Sequence, residues 1–286
     1  MRDMDALSAT NYRRLSELIY DQCGIHLAAE KQSLLESRLR KRLRSLSMAS
    51  TAEYCSYVLA SGGRAEELPH LIDVVTTNKT DFFRESQHFD FLIRTALPSL
   101  ESSRGAGTGQ GVLLWSAGCS TGEEPYTLAM VLTEHAERNS RFQFRLLATD
   151  ISTVVLEQAR RAVFRSELVQ PIPADLRRKY LLRSKDTQKR LYRVVPELRE
   201  KVEFRRLNLM DGDFGIGEPV DIIFCRNVII YFDPPTRARL LQKFTRQLRP
   251  GGYLFLGHSE TLHGLDVPLT PAGPTVYRKP DAATRG

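Results

Sequence analysis

The sequence predicts an α/β fold, in which a Rossmann-like domain follows an all-helical N-terminal domain and carries a small inserted antiparallel β-subdomain. Residues 1–95 have apolar positions at helical spacing, and no alternating strand pattern competes. From Val112 onward, short apolar runs alternate with helical segments, as in a parallel sheet covered by helices. We therefore predict a helical domain at 1–90, a second domain at 91–286 and the β-subdomain at about 164–203.

The N-terminal part contains four segments with helical periodicity: LSELIYDQC, SLLESRLRKRLRSL, TAEYCSYVLAS and EELPHLIDVV. Ser8 and Thr10 are candidate N-caps of the first helix. Four leucines of the second segment fall within about 80° of arc and predict a buried face: Leu35, Leu39, Leu43 and Leu46. Basic residues at other angles predict a positively charged outer surface: Arg38, Arg40, Lys41 and Arg44.

The second part contains five apolar runs that predict strands: VLLWS, FRLLATD, VEFRRLN, DIIFC and YLFLGHS. The segments PYTLAMVLTEHAER, STVVLEQARR and PTRARLLQKFTRQL predict the helices between them. Residues 102–111, SSRGAGTGQG, predict a loop before the first strand. The segment KRLYRVV is expected to form a strand of the β-subdomain.

The chain of 286 residues has 41 Lys and Arg against 34 Asp and Glu, a net charge of +7. The surplus lies in two blocks, since residues 31–46 hold 6 basic and 1 acidic residues, and residues 160–210 hold 15 and 6. This balance suits nucleic acid, an anionic membrane or an acidic protein partner, and by itself it does not choose among them.

The lack of a recognisable targeting signal and the spacing of the cysteines predict a cytosolic protein. No stretch approaches the ~20 apolar residues that span a bilayer, and the N-terminal segment MRDMDALSATNYRR lacks the apolar core of a secretory signal. The cysteines are far apart and none has zinc-ligand spacing, so we expect reduced thiols and no structural metal. They are Cys23, Cys55, Cys119 and Cys225.

The first candidate site motif, WSAGCSTGEEP at residues 115–125, joins a predicted strand to a helix. Its glycines, Gly118 and Gly122, would let the backbone approach a ligand closely, because a Cβ would clash. The motif lacks the GK[ST] of a phosphate-binding P-loop. Glu123 and Glu124 would repel a pyrophosphate but attract a cationic group such as an ammonium. The alternative is a tight turn in which the helix dipole favours Glu.

Three further strand ends carry polar residues, and each has two interpretations. Asp150 could accept hydrogen bonds from ribose hydroxyls or cap the next helix. Asn208, in NLMD, could contact an adenine or lie in an ordinary turn. Arg226 and Asn227 follow DIIFC, where open α/β sheets form their ligand crevice, although Arg226 could instead form a structural ion pair.

Two other motifs also have competing interpretations. Residues 76–85, TTNKTDFFRE, form either a capped helix junction with Phe82 and Phe83 in the core, or a segment that folds over the ligand. The sequence starting at Asp233, DPPT, lacks the aromatic of the D-P-P-Y motif of amino-group DNA methyltransferases, and we expect it to start a helix.

Taken together, these motifs resemble those of one family, the bacterial chemoreceptor glutamate methyltransferases of the CheR type. The family pattern is T-T-N-x-T-x-F-F-R-E, W-S-A-x-x-S-T-G-E-E-P-Y, D-I, N-L, F-C-R-N-V-x-I-Y-F-D and P-G-G-x-L-x-x-G-H-S-E. This chain has, in the same order, TTNKTDFFRE, WSAGCSTGEEPY, ATDIS, LNL, FCRNVIIYFD and PGGYLFLGHSE. The resemblance covers residues 10 to 280 approximately, and it implies a Rossmann-like S-adenosylmethionine methyltransferase domain.

The resemblance implies S-adenosylmethionine as the cofactor, S-adenosylhomocysteine as its product and no metal. It implies nine cofactor contacts: Asn78, Thr80, Arg84, Glu124, Asp150, Asn208, Leu209, Arg226 and Asn227. It also implies that Arg84 and Tyr231 lie near the methyl transfer. The acceptor, a receptor glutamate with a pKa near 4.3, is already ionised and needs no general base. We therefore interpret His258 as structural.

The implied partner is the cytoplasmic helical bundle of methyl-accepting chemoreceptors, so we expect a cytoplasmic enzyme. Because receptor methylation helices are rich in Glu, the basic face of the second helix would dock them, unless it is only a solvated surface. Its docking residues would be Arg38, Lys41, Arg42 and Arg44. Some family members bind a receptor C-terminal pentapeptide at the β-subdomain through a Gly-rich turn, whereas residues 183–190 here are RSKDTQKR.

We expect neither nucleic acid as a partner nor direct insertion into a membrane. Two alternatives remain beside the chemoreceptor methyltransferase. A nucleic-acid methyltransferase is favoured by the basic charge, but the chain lacks the D-P-P-Y and Pro-Cys motifs of those enzymes. A non-catalytic cofactor-sensing or scaffold protein is disfavoured because Arg84, Asp150, Arg226 and Tyr231 are all present.

Overall fold

The computed structural model describes residues 6–104 and 111–281, so most of the predicted loop at 102–111 lies outside the described residues. Its N-terminal part is helical, as predicted, with α1 (Ala9–Cys23), α2 (Gln32–Ser45), α3 (Thr51–Leu59) and α4 (Ser61–Val75). The Ser8 hydroxyl accepts a hydrogen bond from the Asn11 N–H and caps α1. Thr10 lies inside α1, so the prediction that it caps the helix is wrong.

The apolar faces of these four helices form a core of their own. Leu35, Leu39 and Leu43 of α2 are buried in it, as the periodicity predicted. Leu46 is only half-buried, because α2 has already ended at Ser45. Since each fully buried Leu stabilises a fold by roughly 1.5–3 kcal/mol, this stripe is what holds α2 against its neighbours.

A helical segment runs without a break through residues 87–104. It consists of α5 (Gln87–Phe91), a π-helical turn at Leu92–Ala96 and α6 (Leu97–Arg104). Phe89 and Leu92 are buried in the same core as residues of the central sheet. The predicted domain boundary at residue 90 therefore falls inside a continuous helical segment that packs on the sheet.

Ten strands form two sheets in the part of the chain that the structure describes. They are β1 (Val112–Ala117), β2 (Phe144–Asp150), β3 (Val163–Arg165), β4 (Leu181–Arg183), β5 (Leu191–Val194), β6 (Val202–Arg206), β7 (Val220–Cys225), β8 (Leu248–Leu256), β9 (Thr270–Gly273) and β10 (Val276–Arg278). The large sheet has the order β6-β2-β1-β7-β8-β10-β9, and its first five strands are parallel. Because the chain order reverses between β1 and β7, their carboxyl ends form a crevice of the kind that binds ligands in open α/β sheets.

Five further helices complete the described part of the fold: α7 (Glu123–Arg138), α8 (Thr153–Arg161), α9 (Ala174–Tyr180), α10 (Pro196–Arg199) and α11 (Pro234–Gln247). Successive residues of β1 point to opposite faces of the sheet. Leu114 packs in one core together with α7, and Trp115 packs in the other against Phe244 of α11. The central sheet is thus covered by helices on both faces, as the buried strands required.

The β-subdomain is confirmed as a small antiparallel sheet with the strand order β3-β5-β4. By contrast, β9 and β10 were not predicted from the sequence. They are short, and β9 has the sequence TPAG, in which Pro and Gly are unfavourable for strands. Within the described ranges, none of the helices combines the length and the apolar character that a bilayer crossing requires.

Candidate active site

A cleft with an empty volume of about 1040 Å³, including its open mouth, lies at the carboxyl ends of β1, β2 and β7. It is lined by Tyr231 and by all nine residues that the resemblance implied as cofactor contacts: Asn78, Thr80, Arg84, Glu124, Asp150, Asn208, Leu209, Arg226 and Asn227. Cys23 and Ile25 of the helical domain also line it. No sequence signal singled these two residues out, because they come from a different domain.

The glycines of the β1–α7 turn have the conformations that the tight-turn alternative needs. Gly118 has a φ of +81°, and a Cβ there would lie 2.5 Å from Val228 Cγ2. Gly122 has a φ of +102°, and its Cβ would meet the Ala159 Cβ at 3.0 Å. Both positions therefore favour glycine because of the backbone conformation and the neighbouring side chains. Gly118 also lines the cleft, so the expected close approach of a ligand stays a prediction.

Asp150 ends β2 and is buried in the wall of the cleft. Its Oδ2 accepts a hydrogen bond from the Ser120 N–H and its Oδ1 accepts one from the Ser152 N–H, both at 2.9 Å. Burial raises the pKa of the Asp150 carboxyl, while these N–H donors oppose that effect. The alternative role as the N-cap of α8 is wrong, because the Ser152 hydroxyl caps α8. A carboxylate fixed in this way is a rigid acceptor at the edge of the sheet.

Asn208 joins the sheet to the helical domain. Its Nδ2 donates to the Gln22 carbonyl at 2.6 Å, and its Oδ1 accepts from the Met210 N–H at 3.0 Å. The Asn208 amide is thus already bonded within the protein, and the neighbouring Leu209 gives the cleft an apolar wall. Nearby, the His26 N–H donates to the Tyr231 carbonyl at 2.9 Å, so the helical domain touches a second lining segment.

Arg226 is the centre of a buried charge network, and its side chain is only 2% exposed. Its Nη2 donates to Glu85 Oε2 at 3.0 Å, its Nη1 donates to Glu124 Oε2 at 3.2 Å, and Nη2 also bonds the Arg84 carbonyl. Burial raises the pKa of the Glu124 carboxyl, and Arg226 opposes that rise. The structural ion pair and the position at the cleft, which the sequence left as alternatives for Arg226, therefore both hold.

The loop that carries Asn227 and Tyr231 is fixed by hydrogen bonds to Glu260, a residue of the GHSE motif. Glu260 accepts hydrogen bonds from the backbone N–H groups of Asn227 and Gly257 at 2.8 and 2.6 Å, and from that of Ile230 at 3.2 Å. Asn227 itself has a φ of +58°. Glu260 therefore stabilises an unusual backbone conformation without reaching the cleft, and this role was not anticipated.

Arg84 is more open to the cleft than Arg226 is. Its side chain is 35% exposed, and its Nη1 donates to the Lys79 carbonyl at 3.2 Å. The same motif places Phe82 in the core at 1% exposure, while residues 76–81 line the cleft. The motif therefore contributes Phe82 to the core and lines the cleft with residues 76–81 and Arg84, and the interpretation that it folds over a ligand stays a prediction.

A potential metal-ligand cluster lies beside this network. Ligand atoms of Glu85, His88 and His258 lie within 4.8 Å of one another. However, the Glu85 Oε2 atom that faces both histidines already accepts from two nitrogens of Arg226. Burial alone would raise the pKa of the Glu85 carboxyl, but Arg226 and the His258 N–H hold it below its ordinary value. The cluster is therefore best described as an extension of the Arg226 ion-pair network.

Cysteine chemistry does not contribute to the cleft. All four cysteines are free and buried. Burial raises the pKa of the Cys23 thiol, which lines the cleft, to about 11, and it raises the pKa of the Cys119 and Cys225 thiols well above the usual range. Since the thiolate is the reactive form, none of these three residues is suited to act as a nucleophile.

The four residues expected to dock the receptor differ in their surroundings. Lys41 and Arg44 are exposed on α2. Arg42 pairs with the buried Glu67, with Nε and Nη2 donating at 2.9 and 2.7 Å. Arg38 donates to carbonyl groups at the end of α4. Fewer basic side chains of α2 are therefore available to a partner than the helical periodicity suggested.

The turn between β4 and β5 lacks glycine but still adopts a glycine-like conformation at one position. It contains a 3₁₀ turn at Thr187–Lys189, and Arg190 follows with a φ of +47°. The Asp186 carboxylate accepts from the Gln188 N–H at 3.1 Å and supports the turn. A compact turn is therefore built here without the Gly-rich sequence.

A mostly parallel α/β sheet with a cleft at its switch point, walled by Asp150 and by an arginine–carboxylate network, is typical of cofactor-binding enzymes of the Rossmann-like class. Residues 78–277 match the family model of the CheR methyltransferase SAM-binding domain, and residues 10–76 match that of the CheR methyltransferase all-alpha domain. The chain therefore belongs to the CheR methyltransferase family, and S-adenosylmethionine is its cofactor.

Curated relatives agree with this assignment over nearly their whole length. A chemotaxis protein methyltransferase of Borreliella burgdorferi is 42% identical over 267 residues, which is 93% of this chain and 93% of the relative. Chemotaxis protein methyltransferase 2 of Pseudomonas aeruginosa is 40% identical, covering 93% and 92%. The chemotaxis protein methyltransferase of Escherichia coli is 39% identical over 277 residues, covering 97% and 93%.

Proposed function

We propose that this chain methylates glutamate side chains of methyl-accepting chemoreceptors, forming glutamate 5-O-methyl esters in sensory adaptation. The observation that carries the proposal is that five of the six motifs, far apart in the sequence, meet in one cleft, while the sixth supports the cleft loop through Glu260. The relatives that match over more than nine-tenths of the chain are named chemotaxis protein methyltransferases. We also propose a cytoplasmic location, because the receptors' methylated bundle is cytoplasmic.

The residues of the cleft fit the proposed cofactor. Asp150 presents a fixed carboxylate for ribose hydroxyls, and Leu209 offers an apolar surface for an adenine. Glu124 and Asp150 supply negative charge for a cationic ligand. Both oxygens of Glu124 are bonded, to Ser116 and Arg226, but a carboxylate has about four lone-pair sites and can accept a further ammonium donor.

When bound, S-adenosylmethionine supplies a methyl group on a cationic sulfur, which a carboxylate oxygen takes while the carbon–sulfur bond pair stays on sulfur. No proton is transferred, so the chain has to align, desolvate and orient the acceptor. The partly exposed Arg84 guanidinium can bind the acceptor carboxylate, and the Tyr231 hydroxyl can orient it. The site needs no general base because the acceptor carboxylate is already ionised.

The decisive experiment is a labelled-methyl transfer assay with receptor-containing membranes. We expect label in the receptor band, released as methanol in base because a carboxyl ester is labile there. Parallel reactions contain RNA or DNA as the acceptor. Label transferred to nucleic acid, or a base-stable product on the receptor, would contradict the proposal.

Variants at the cleft test the two proposed catalytic residues. We expect Arg84→Ala to lower methyl transfer roughly 10–100-fold, because it removes a charged hydrogen-bond donor worth ~1.5–3 kcal/mol. Tyr231→Phe should lower the turnover while leaving S-adenosylhomocysteine affinity intact. Tyr57→Phe, in α3 and outside the cleft, is the matched control. An Arg84→Ala enzyme with full turnover and full cofactor affinity would exclude both roles for Arg84.

We also propose a domain boundary and a docking surface that differ from those expected from the sequence. We propose a division between the two domains near residue 77, since the separate helical core extends to Val75 and the family domains meet there.

We propose that the receptor bundle docks chiefly on the exposed Lys41 and Arg44, because Arg38 and Arg42 are bound within the protein.

Whether a receptor C-terminal peptide binds the β-subdomain is tested by methylation of receptors that lack that peptide. A retained methylation rate would show that the peptide is not needed.

A further inference from the structure

We infer that Arg38 is a positioning residue for the cofactor: it holds the connecting segment, residues 76–81, against the cleft from outside. The inference rests on the proposed function only because that function identifies S-adenosylmethionine as the ligand of the cleft. It differs from the sequence-based expectation, in which Arg38 contacts the receptor.

The connecting segment links α4 to the sheet domain and has neither helical nor strand structure. All six of its residues line the cleft, including Asn78 and Thr80, two of the proposed cofactor contacts. A segment outside helices and sheets has no regular ladder of backbone hydrogen bonds. Its position therefore depends on the side chains that bond to it.

Arg38 supplies the anchor at the start of this segment. Its Nη1 donates to the carbonyls of Val75 and Thr76 at 2.6 and 3.1 Å, and to that of Val74 at 3.4 Å. Its Nη2 donates to Thr77 Oγ1 at 2.9 Å. Because α4 ends at Val75, these are carbonyls that the helix leaves without intrahelical partners, and a cation is favourable there.

The geometry requires a guanidinium. Two nitrogens of one planar group reach the helix end and the Thr77 hydroxyl together, which a lysine ammonium or a glutamine amide cannot reproduce with equal geometry. The arginine itself does not line the cleft, so it acts through the segment that it holds.

Two other anchors hold the middle of the segment, and both come from the sheet domain. The Ser120 hydroxyl donates to the Asn78 carbonyl at 2.8 Å, and Arg84 Nη1 donates to the Lys79 carbonyl at 3.2 Å. Arg38 is thus the anchor that α2 supplies, in addition to the bonds that Thr76 makes to α4. Without it, the first residues of the segment lose their contacts with α2, and Asn78 and Thr80 are held less firmly at the cleft.

The test is calorimetric titration of the full-length protein with S-adenosylhomocysteine. We expect Arg38→Gln to bind about tenfold more weakly than wild type, which corresponds to ~1.4 kcal/mol. Thr77→Val, which removes the hydroxyl partner of Arg38 at a position that itself lines the cleft, should bind about two- to threefold more weakly. The control is Tyr54→Phe, which deletes a 2.8 Å hydrogen bond to Glu67 in the same helical domain and should leave the affinity unchanged.

A second measurement separates positioning from general damage. In the methylation assay, Arg38→Gln should raise KM for S-adenosylmethionine about tenfold while kcat at saturating cofactor stays within about twofold of wild type. Unchanged affinity in Arg38→Gln, or equal weakening in Tyr54→Phe, would overturn the inference. If Arg38→Gln does not fold, Thr77→Val decides, and wild-type affinity in that variant overturns it. A wild-type protein that binds no S-adenosylhomocysteine would contradict the proposed function itself.

Discussion

Buried carboxylates organise the residues around the cleft. Asp150 and Glu260 accept backbone N–H groups of neighbouring loops, while Glu85 and Glu124 flank Arg226. A buried charge without such partners would cost several kcal/mol, so each carboxylate can persist only because the loops converge on it. Conversely, these hydrogen bonds and ion pairs hold the loops in one arrangement.

His88 predicts a specific acid sensitivity of the fold. It is 2% exposed, and burial, followed by the nearby Arg226 charge, lowers its pKa from 6.5 to about 4. The unfolded chain then binds the proton more readily than the folded protein does, so stability falls as pH drops from 6.5 towards 4. For this residue we expect a loss of about 2 kcal/mol between pH 7 and pH 5, measured by urea unfolding at both values.

The control for this prediction is His88→Gln, which keeps a polar side chain near the Thr275 hydroxyl that bonds the histidine at 2.9 Å. The variant should be less stable at pH 7, but its stability should change less between pH 7 and pH 5 than that of wild type. An identical pH dependence in both proteins would show that other groups cause the acid sensitivity.

At the scale of elements, the turn after β1 shows how backbone conformation and packing act together. Gly118 combines a φ of +81° with the 2.5 Å approach that a Cβ would make to Val228 Cγ2. The turn places the Ser120 N–H on Asp150 and starts α7 one turn later. The same glycine therefore allows both the close packing of β1 against the Val228 loop and the direction of the turn.

We expect Gly118→Ala to destabilise the protein by about 2–4 kcal/mol, because the left-handed conformation costs ~1–2 kcal/mol and the clash adds to it. The double variant Gly118→Ala with Val228→Ala should recover the part due to the clash but not the part due to φ. Chemical denaturation of both variants and of Val228→Ala alone forms the cycle. Strictly additive effects of the two substitutions would show that the clash with Val228 is not the cause.

The elements of the sheet could be predicted because their signals are local. Five strands and the helices between them follow from runs of apolar residues, and Asp233 does cap α11 through the Thr236 N–H. The contacts of Arg38 and Asn208 could not be predicted, since helical periodicity shows which face a residue occupies but not which chain end packs there. For the same reason, the wall formed by Ile25 had no signal in the sequence.

For the whole molecule, the helical domain lines one side of the cleft as well as forming a core of its own. Ile25 pairs with Phe232 in an isolated bridge, and the Tyr20 hydroxyl donates to Asp233 at 2.8 Å. Gly24 has a φ of +72°, and a Cβ there would lie 2.6 Å from Met210 Sδ, so the end of α1 fits closely against the sheet domain. The domain that carries the basic face of α2 thus also closes one side of the cleft.

The uneven distribution of charge on the molecule predicts where an acidic partner docks. Lys41 and Arg44 are exposed, whereas Arg42 is neutralised by Glu67. If glutamate-rich receptor helices dock on α2, replacing Lys41 and Arg44 by Glu should slow receptor methylation about tenfold or more at ~20 mM salt, because attraction becomes repulsion. The difference from wild type should shrink at ~500 mM salt, where the Debye length is only a few Å.

The matched control is Arg141→Glu, because Arg141 is exposed and lies just before β2, at the end of the sheet opposite the cleft. It also reverses a charge, but away from α2, so its methylation rate should stay near that of wild type at both salt concentrations. Calorimetry with S-adenosylhomocysteine should give wild-type affinity for all these proteins, since none of the exchanged residues lines the cleft. Wild-type methylation by the Lys41→Glu, Arg44→Glu protein at low salt would show that the basic face is only solvated. Because Arg141→Glu reverses one charge and the double exchange reverses two, a loss in Arg141→Glu about half as large on a logarithmic scale would assign the effect to net charge.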